Sequence, residues 1–231
     1  MIDQSLPDTP RHVVVLAHPD SDSFNAAVAS TYCDIVRASG QEAILRDLYA
    51  MNFDPVLHAD ERPGRPGYHV RPDVAAELEL VAGTAVLTLV YPIWFGTMPA
   101  ILKGYVDRVL GSGVTPAAVQ ERAVCGPLSG ARLVSFTSSA ARAPWLAEIG
   151  QELSLRSGVD HYLEHSFAMK SSEHLHFGGM VEGFTRRFVD QNLQDVRDRA
   201  RRVCAAVAAD RHGAKAREAH TCSSASDGRI Y

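Results

Sequence analysis

The sequence lacks the features that mark membrane, secreted and nucleic-acid-binding proteins. No apolar run reaches the roughly 18 residues that a transmembrane helix needs, and the longest, around Val81 to Val90, has the length of a buried strand. The N-terminus has neither a basic region nor an apolar stretch, so we expect no secretory signal and no membrane insertion. Long clusters of lysine and arginine are absent and the formal net charge is −4, which argues against a nucleic acid as partner.

Cysteine is scarce as well. The cysteines are far apart and show no spacing typical of a metal site: Cys33, Cys125, Cys204 and Cys222. We therefore expect reduced thiols, a cytoplasmic protein and no bound metal. What is present is ordinary globular composition, with 46% hydrophobic and 22% charged residues in a chain of 231, enough for one large α/β domain.

The chain is organised around the stretch VYPIWFGTMPAILKGYVDRVL, residues 90–110. A buried apolar strand, Thr84 to Tyr91, is predicted to stop at Pro92, because proline has no N–H to donate to a sheet. The loop Pro92 to Thr97 would then lie at the carboxyl end of a strand, where open α/β sheets bind their ligands. Its two adjacent aromatic residues could equally be a packing plug. Pro99 suits the first turn of the helix that follows.

Strand and helix patterns alternate along the chain. We predict strands at His12 to Ala17, Ala43 to Leu48, Thr84 to Tyr91, Ala131 to Phe136 and Tyr162 to Ala168. We predict helices after Asp22 or Ser23, over Asp73 to Val81, after Pro99, from about Ala143 to Leu155, and over Val181 to Ala208. This alternation predicts an α/β fold: a doubly wound, five-stranded parallel sheet in three α/β/α layers.

The ends of the chain differ from its middle. We expect residues 1–11 to be a flexible lead-in and residues 210–231, rich in alanine, serine, glycine and charge, to be a disordered tail. A single domain over residues 12–209 remains. Within it, the segment Asn52 to Pro72 is rich in proline, glycine, histidine and charge, and loops of this length tend to be functional or to cover something.

Three segments that follow strands are expected to meet at one edge of the sheet. His18 to Asn25 offers hydroxyls and backbone N–H groups at a helix N-terminus, which favours phosphate. Pro92 to Thr97 offers apolar walls and backbone amides for a flat ring with polar edges, and Thr137 to Ala140 adds hydroxyls and further amides. Phosphate beside a planar heterocycle is what a flavin nucleotide requires.

Each of these residues also has a plainer explanation. His18 could bind a loop carbonyl, and Ser23 and Asn25 could be helix caps. The hydroxyls that follow Phe136 could be ordinary turn residues. The indication of a binding site therefore comes from the three segments together.

Four segments in this order resemble the flavodoxin-like NAD(P)H:quinone oxidoreductases: AHPDSDSFNAAVA, RDLYAMNFDPVL, YPIWFGTMPAILKGYVDRVL and SFTSS. The similarity covers about Val13 to Ala140 and implies a flavodoxin-like fold. It implies flavin phosphate and adenosine contacts at His18, Ser23, Phe24 and Asn25. It implies contacts along the isoalloxazine ring at Pro92, Ile93, Trp94 and Phe95. It implies contacts around the pyrimidine side of the ring at Thr137, Ser138, Ser139 and Ala140.

The resemblance also implies an activity. The chain would be a flavin-dependent NAD(P)H dehydrogenase that passes hydride through flavin N5 to a quinone or similar acceptor, with ping-pong kinetics. Relatives are homodimers with the site at the subunit boundary, and the Asn52 to Pro72 loop would be a dimer element. The segments SFN and DLYAMNF favour FAD, with FMN as the alternative. NADH against NADPH stays open.

The expected catalytic contributions come from few groups. Trp94 and Phe95 are expected to shape the acceptor slot, and backbone amides of the Ile93 to Phe95 and Ser138 to Ser139 loops are expected to receive charge at N1 and O2 of the flavin. Animal quinone reductases carry a Tyr and a His shortly after the third segment. An ungapped match gives Trp145 and Gln151 there, and although Gln151 can donate a hydrogen bond, neither residue relays a proton.

Two other functions fit less well. Some relatives are ancillary subunits of potassium-efflux channels, so a regulatory flavoprotein with secondary oxidoreductase activity is the alternative. A phosphoacceptor receiver domain has the same fold but needs an aspartate at the end of the central strand, where this chain has Tyr91 and Pro92.

Overall fold

A computed structural model describes residues 9–120, 126–141, 148, 150–181, 183 and 185–226, with the backbone alone for Glu152 and residues 214–226. In this part of the chain, five strands form one all-parallel sheet in the order β2-β1-β3-β4-β5. They are β1 (Arg11–Leu16), β2 (Glu42–Asp47), β3 (Val86–Pro92), β4 (Arg132–Ser138) and β5 (Ser171–Phe177). The predicted fold class is confirmed.

Helices cover both faces of the sheet. They are α1 (Phe24–Ala38), α2 (Pro72–Val81), α3 (Ala100–Tyr105), α4 (Pro116–Gln120), α5 (Gln151–Leu155), α6 (His161–Ser166) and α7 (Arg186–Ser226). A π-helical turn, Val106–Leu110, continues α3, and a second, Arg156–Asp160, joins α5 to α6. Helices α1 and α7 pack on one face of the sheet, and α2, α3 and α6 pack on the other. The valines of β1 are therefore fully buried from both sides.

The prediction of the fifth strand at Tyr162 to Ala168 is wrong. That stretch belongs to α6 and the turn after it, where Leu163 and Phe167, four residues apart, are both buried. The fifth strand is Ser171–Phe177, which reads SSEHLHF. It lies at the edge of the sheet beside β4 and is largely polar, so it has no apolar run from which a buried strand could be recognised.

The central strand differs from prediction in its last residue, because β3 includes Pro92. The neighbouring residues explain why proline is tolerated. The Val90 carbonyl accepts from Ala17 N–H on the β1 side, whereas Ile93 N–H donates to the Ser138 carbonyl on the β4 side. Because successive residues of a strand face alternate sides, the N–H that Pro92 lacks would have pointed toward β1. Strand β1 ends before that position, so no hydrogen bond between the two strands is lost.

The last helix is longer than predicted. Helix α7 continues to Ser226, past residue 210, where we expected the folded part of the chain to end. Asp210 accepts hydrogen bonds from Arg132 and Lys170, and these two cations hold the pKa of its carboxyl below the ordinary value.

The Asn52 to Pro72 loop is attached to α3 and its continuation by a buried ion pair. The Arg108 guanidinium, 2% exposed, donates from Nη2 to Glu61 Oε1 at 2.7 Å and from Nη1 to the Asp54 carbonyl at 2.6 Å. Burial would raise the pKa of Glu61, but the hydrogen bonds from Arg108 and His58 N–H outweigh it and hold that pKa below the ordinary value. The loop is therefore a fixed part of the domain.

The cysteines and the helices also bear on expectations from the sequence. Cys33 and Cys204 are free and buried, and burial raises the pKa of the Cys33 thiol to about 11. Cys125 and the side chain of Cys222 are outside the described part of the chain. No helix among the described residues has both the length and the apolar character to cross a membrane.

Candidate functional site

The three predicted segments meet at the carboxyl edge of the sheet. They follow β1, β3 and β4, which are neighbours in the strand order. Asn25 Nδ2 lies 2.9 Å from Ser138 Oγ, which joins the first segment to the third. Trp94 and His18 have ring centroids 6.0 Å apart, which joins the second to the first. The structure thus brings the candidate residues together, and their contacts with a flavin stay a prediction.

The first segment ends in the N-terminus of α1. Ser23 is the N-cap, and its hydroxyl accepts a hydrogen bond from Ala26 N–H at 3.2 Å. Ser23 therefore has the plainer role of a helix cap. His18 Nδ1 accepts a hydrogen bond from Asp20 N–H at 3.0 Å, so it binds the backbone of its own loop. These bonds leave the N–H groups of Phe24 and Asn25 without an acceptor among the described residues. With the positive end of the helix dipole, they suit an anion.

The second segment contains a tight turn. Trp94 N–H donates to the Thr97 carbonyl at 3.0 Å, and Thr97 N–H returns a bond of 3.2 Å. Phe95 and Gly96 between them have φ of 49° and 85°, the left-handed pair that a type I′ turn requires. This backbone is unfavourable for phenylalanine. The Phe95 ring is fully exposed and Trp94 is 40% exposed, so these rings are not a packing plug.

Gln151, a predicted catalytic residue, lies beneath this turn. Its Nε2 donates to the Gly96 carbonyl at 2.5 Å, and a Cβ on Gly96 would come within 3.1 Å of its Oε1. The amide side chain therefore positions the turn that carries Phe95. Trp145, the other residue expected here, lies outside the described part of the chain.

The third segment is more densely hydrogen-bonded than predicted. Thr137 Oγ1 lies 2.7 Å from His174 Nε2 and 2.9 Å from His176 Nδ1, both on β5. Ser139 Oγ lies 3.0 Å from His176 Nε2 and donates to the Ala141 carbonyl at 2.9 Å. These histidines were not among the predicted site residues, because the fifth strand was predicted at Tyr162 to Ala168 and not at Ser171–Phe177. Their His-x-His spacing, which puts both rings on one face of a strand, is the signal that could have found them.

Several backbone amides expected to receive charge are already occupied, so that expectation is wrong for them. Ile93 N–H donates to the Ser138 carbonyl, Trp94 N–H to that of Thr97, and Ser139 N–H to that of Phe177. They complete the sheet edge and the tight turn. The groups without an acceptor in the described ranges are the N–H groups of Phe95, Gly96 and Ala140.

The candidate site thus lies at the carboxyl edge of the parallel sheet of an α/β protein. Comparison with known proteins identifies the class further. Residues 10–202 match the family described as flavodoxin-like fold. The chain belongs to this flavodoxin-like family, and the predicted family is confirmed.

Individual relatives extend the match. An uncharacterized NAD(P)H oxidoreductase of Haemophilus influenzae is 31% identical over 88% of this chain and 95% of its own. NAD(P)H dehydrogenase [quinone] 1 of Rattus norvegicus is 34% identical over 45% of this chain and 44% of its own. An NAD(P)H:quinone oxidoreductase from Methanothermobacter marburgensis superimposes with a TM-score of 0.70 at 25% identity, covering 84% of this chain and 95% of that one.

Proposed function

We propose that this protein is a flavin-dependent NAD(P)H dehydrogenase that reduces a quinone or a similar small electrophile. The observation that carries the proposal is a set of backbone N–H groups at one sheet edge that have no acceptor among the described residues. Those of Phe24 and Asn25 open the helix α1, and those of Phe95, Gly96 and Ala140 lie in the two loops beside it. NAD(P)H oxidoreductases among the relatives, over 95% of one and 44% of another, support the activity.

The donors present fit a flavin nucleotide. An anion at the start of α1 would satisfy two free N–H groups and the helix dipole. A ring with polar edges would accept hydrogen bonds from the Phe95 and Ala140 amides, and the exposed Trp94 and Phe95 side chains offer apolar surface for its face. Among the described residues there is no cluster of side chains suited to a metal ion, so the site offers hydrogen bonds and apolar contact.

The bound flavin would supply hydride transfer from NAD(P)H to the acceptor. The protein would supply position and charge stabilisation. Free N–H groups of the two loops would stabilise negative charge at the polar edge of the ring. Gln151 would hold the Trp94 to Thr97 turn in place through Gly96, and Trp94 and Phe95 would border the slot shared by nicotinamide and acceptor.

The first test is the visible absorption spectrum of the purified protein, with chromatography of the cofactor released by heat. We expect yellow protein that releases FAD, with FMN as the alternative, and NAD(P)H-dependent reduction of a soluble quinone. Colourless protein that takes up neither flavin would contradict the proposal. Bound flavin with feeble turnover would favour the regulatory flavoprotein instead.

Phe95 should decide which acceptors are reduced. The Phe95→Ala variant removes a fully exposed ring, so we expect its free energy of unfolding to fall by less than about 0.5 kcal/mol. Relative kcat/KM for bulky against small quinones should change by about tenfold, because one side of the slot is lost. Steady-state assays with two quinones measure this, and unchanged selectivity would contradict the role of Phe95.

We also propose a cytoplasmic homodimer. The Asn52 to Pro72 loop, which Arg108 fixes to the domain, would be part of its interface. Sedimentation at several concentrations tests the assembly, and a monomer at every concentration would contradict it.

A further inference from the structure

A column of polar side chains, in which Ser135, Thr137 and Asp160 are buried, lies on a largely apolar face of the sheet. Ser135 and Thr137 on β4 lie beside His174 and His176 on β5 in the parallel register. All four share the face covered by α2, α3 and α6, on which β1, β3 and the start of β4 present aliphatic and aromatic side chains. Polar groups in such a place are costly unless each has a hydrogen-bond partner.

Every link in this column is short. Asp160, 2% exposed, accepts from Ser135 Oγ at 2.6 Å and contacts His174 Nδ1 at 2.5 Å. From His174 the contacts continue through Thr137 Oγ1 to His176 and from there to Ser139 Oγ, at 2.7, 2.9 and 3.0 Å. The series runs from a buried carboxylate to the third segment of the candidate site.

The number of hydroxyl protons sets the direction of these bonds. Ser139 uses its only O–H on the Ala141 carbonyl, so it accepts from His176 Nε2–H. When His176 is neutral, its Nδ1 accepts from the Thr137 hydroxyl, which must then accept from His174 Nε2–H. Between His174 Nδ1 and Asp160 one proton remains. All donors therefore point from Asp160 toward the site.

The far end of the column faces a cavity. A polar cavity of about 270 Å³ is lined by Asp160 and His174, together with Arg156, His161, Ser172, Glu173 and Arg199. The charged groups around the pair come from three elements: the segment from α5 to α6, strand β5 and helix α7. Tyr91 on β3 also faces Asp160, and burial, with that carboxylate, raises the pKa of Tyr91.

We infer that Asp160, His174, Thr137, His176 and Ser139 form a proton relay from this cavity to the reaction site. The inference rests on the proposed function. Reduction of a quinone by NAD(P)H requires a proton besides the hydride: quinone, NAD(P)H and H⁺ give hydroquinone and NAD(P)⁺. The proton taken from outside the nicotinamide is the one that the relay would carry.

The transfer balances over the whole series. The Ser139 hydroxyl turns from the Ala141 carbonyl, releases its proton toward the site and takes the Nε2 proton of His176. His176 Nδ1 takes the Thr137 proton, and Thr137 takes the Nε2 proton of His174. The Asp160–His174 pair ends one proton poorer and is recharged from water in the cavity. The series is reset when the hydroxyls turn back and both histidines return from the Nδ1–H to the Nε2–H tautomer by proton exchange with water.

The protonation pattern can be measured without flavin. Nitrogen-15 NMR of the flavin-free protein should show His176 as the neutral Nε2–H tautomer. It should also show a far-downfield, slowly exchanging proton on His174 Nδ1, from the short bond to Asp160. Two histidines that titrate independently, with spectra unchanged by Thr137→Val, would overturn the relay.

Kinetics supply the second test. Thr137→Val keeps the shape of the side chain and removes the central hydroxyl, and Thr88→Val makes the same change at a buried position on neighbouring β3, outside the relay. In Thr137→Val, kcat for quinone reduction should fall about tenfold at alkaline pH and less in acid, with an altered solvent isotope effect. Thr88→Val should match the parent protein.

The two proposals fail differently. Protein that binds no flavin contradicts the proposed function, while the NMR tautomer still reports on the column. Active, flavin-loaded Thr137→Val that matches Thr88→Val in pH profile and isotope effect overturns the relay alone. The flavin dissociation constant of each variant separates weaker binding from slower proton transfer.

Discussion

Replacing Arg108 by methionine should lower the free energy of unfolding by about 3–5 kcal/mol. Methionine keeps much of the volume of the side chain but leaves the Glu61 carboxylate, 6% exposed, without its bidentate partner. It also leaves the Asp54 carbonyl without a donor. Chemical denaturation of the parent and the variant measures the difference.

The matched control lies on the same helix. Lys103 pairs with Asp107 at 2.6 Å, but it is exposed, so Lys103→Met should cost less than about 0.5 kcal/mol. If Arg108→Met and Lys103→Met lowered the free energy of unfolding equally, the buried ion pair would not be the cause of the loss in Arg108→Met. Arg108→Met with Glu61→Gln should recover part of the loss, because the unpaired charge is then removed.

The cost of Arg108→Met should shrink in acid. Arg108 depresses the pKa of Glu61 in the folded protein, so this pair contributes its full stability above the pKa of Glu61 in the unfolded chain. The contribution is lost as the pH falls through the lower, folded-state pKa. In the variant the Glu61 carboxylate is buried without Arg108, and protonation removes the cost of burying its unpaired charge. Denaturation curves at several pH values measure the difference in free energy of unfolding between the parent protein and the variant. A difference that grows in acid would contradict the pairing of Arg108 with an ionised Glu61.

Local pattern predicted the sheet where both faces of a strand are covered. The runs HVVVLA and ARLVSF are apolar without interruption because helices pack on each side, and both are strands in the structure. The same reasoning failed for β5. Strand β5 lies at the edge of the sheet and pairs with β4 alone. Its polar side chains form hydrogen bonds with residues such as Thr137, so its sequence lacks the apolar run that marks a fully buried strand.

The site was predictable in place but not in detail. Strand order alone brings the segments after β1, β3 and β4 to one edge. Which amides remain free depends on bonds between residues far apart in sequence, such as Ile93 N–H to the Ser138 carbonyl. The contact between α3 and the long loop is of the same kind. A Cβ on Gly104 would lie 2.3 Å from the Pro55 carbonyl oxygen, and no local pattern indicates that.

The largest effect on cofactor binding should come from Ser23→Asp. Aspartate is as good an N-cap as serine, and its charge favours the start of α1, so the flavin-free protein should be at least as stable as the parent. A flavin phosphate at the same helix terminus would be repelled by about 2–4 kcal/mol, or roughly 30- to 700-fold in the dissociation constant. Fluorescence titration with FAD or FMN measures the change.

Ser23→Asn is the matched control, because asparagine caps equally well and carries no charge. It should bind flavin within about threefold of the parent protein, and the gap between the aspartate and asparagine variants should narrow as salt rises. Riboflavin, which has no phosphate, should bind both variants alike. A phosphate bound elsewhere would leave the two variants equal toward FAD and FMN as well. That result would remove the helix terminus from the site, while the loops around Phe95 and Ala140 would remain candidates for the ring.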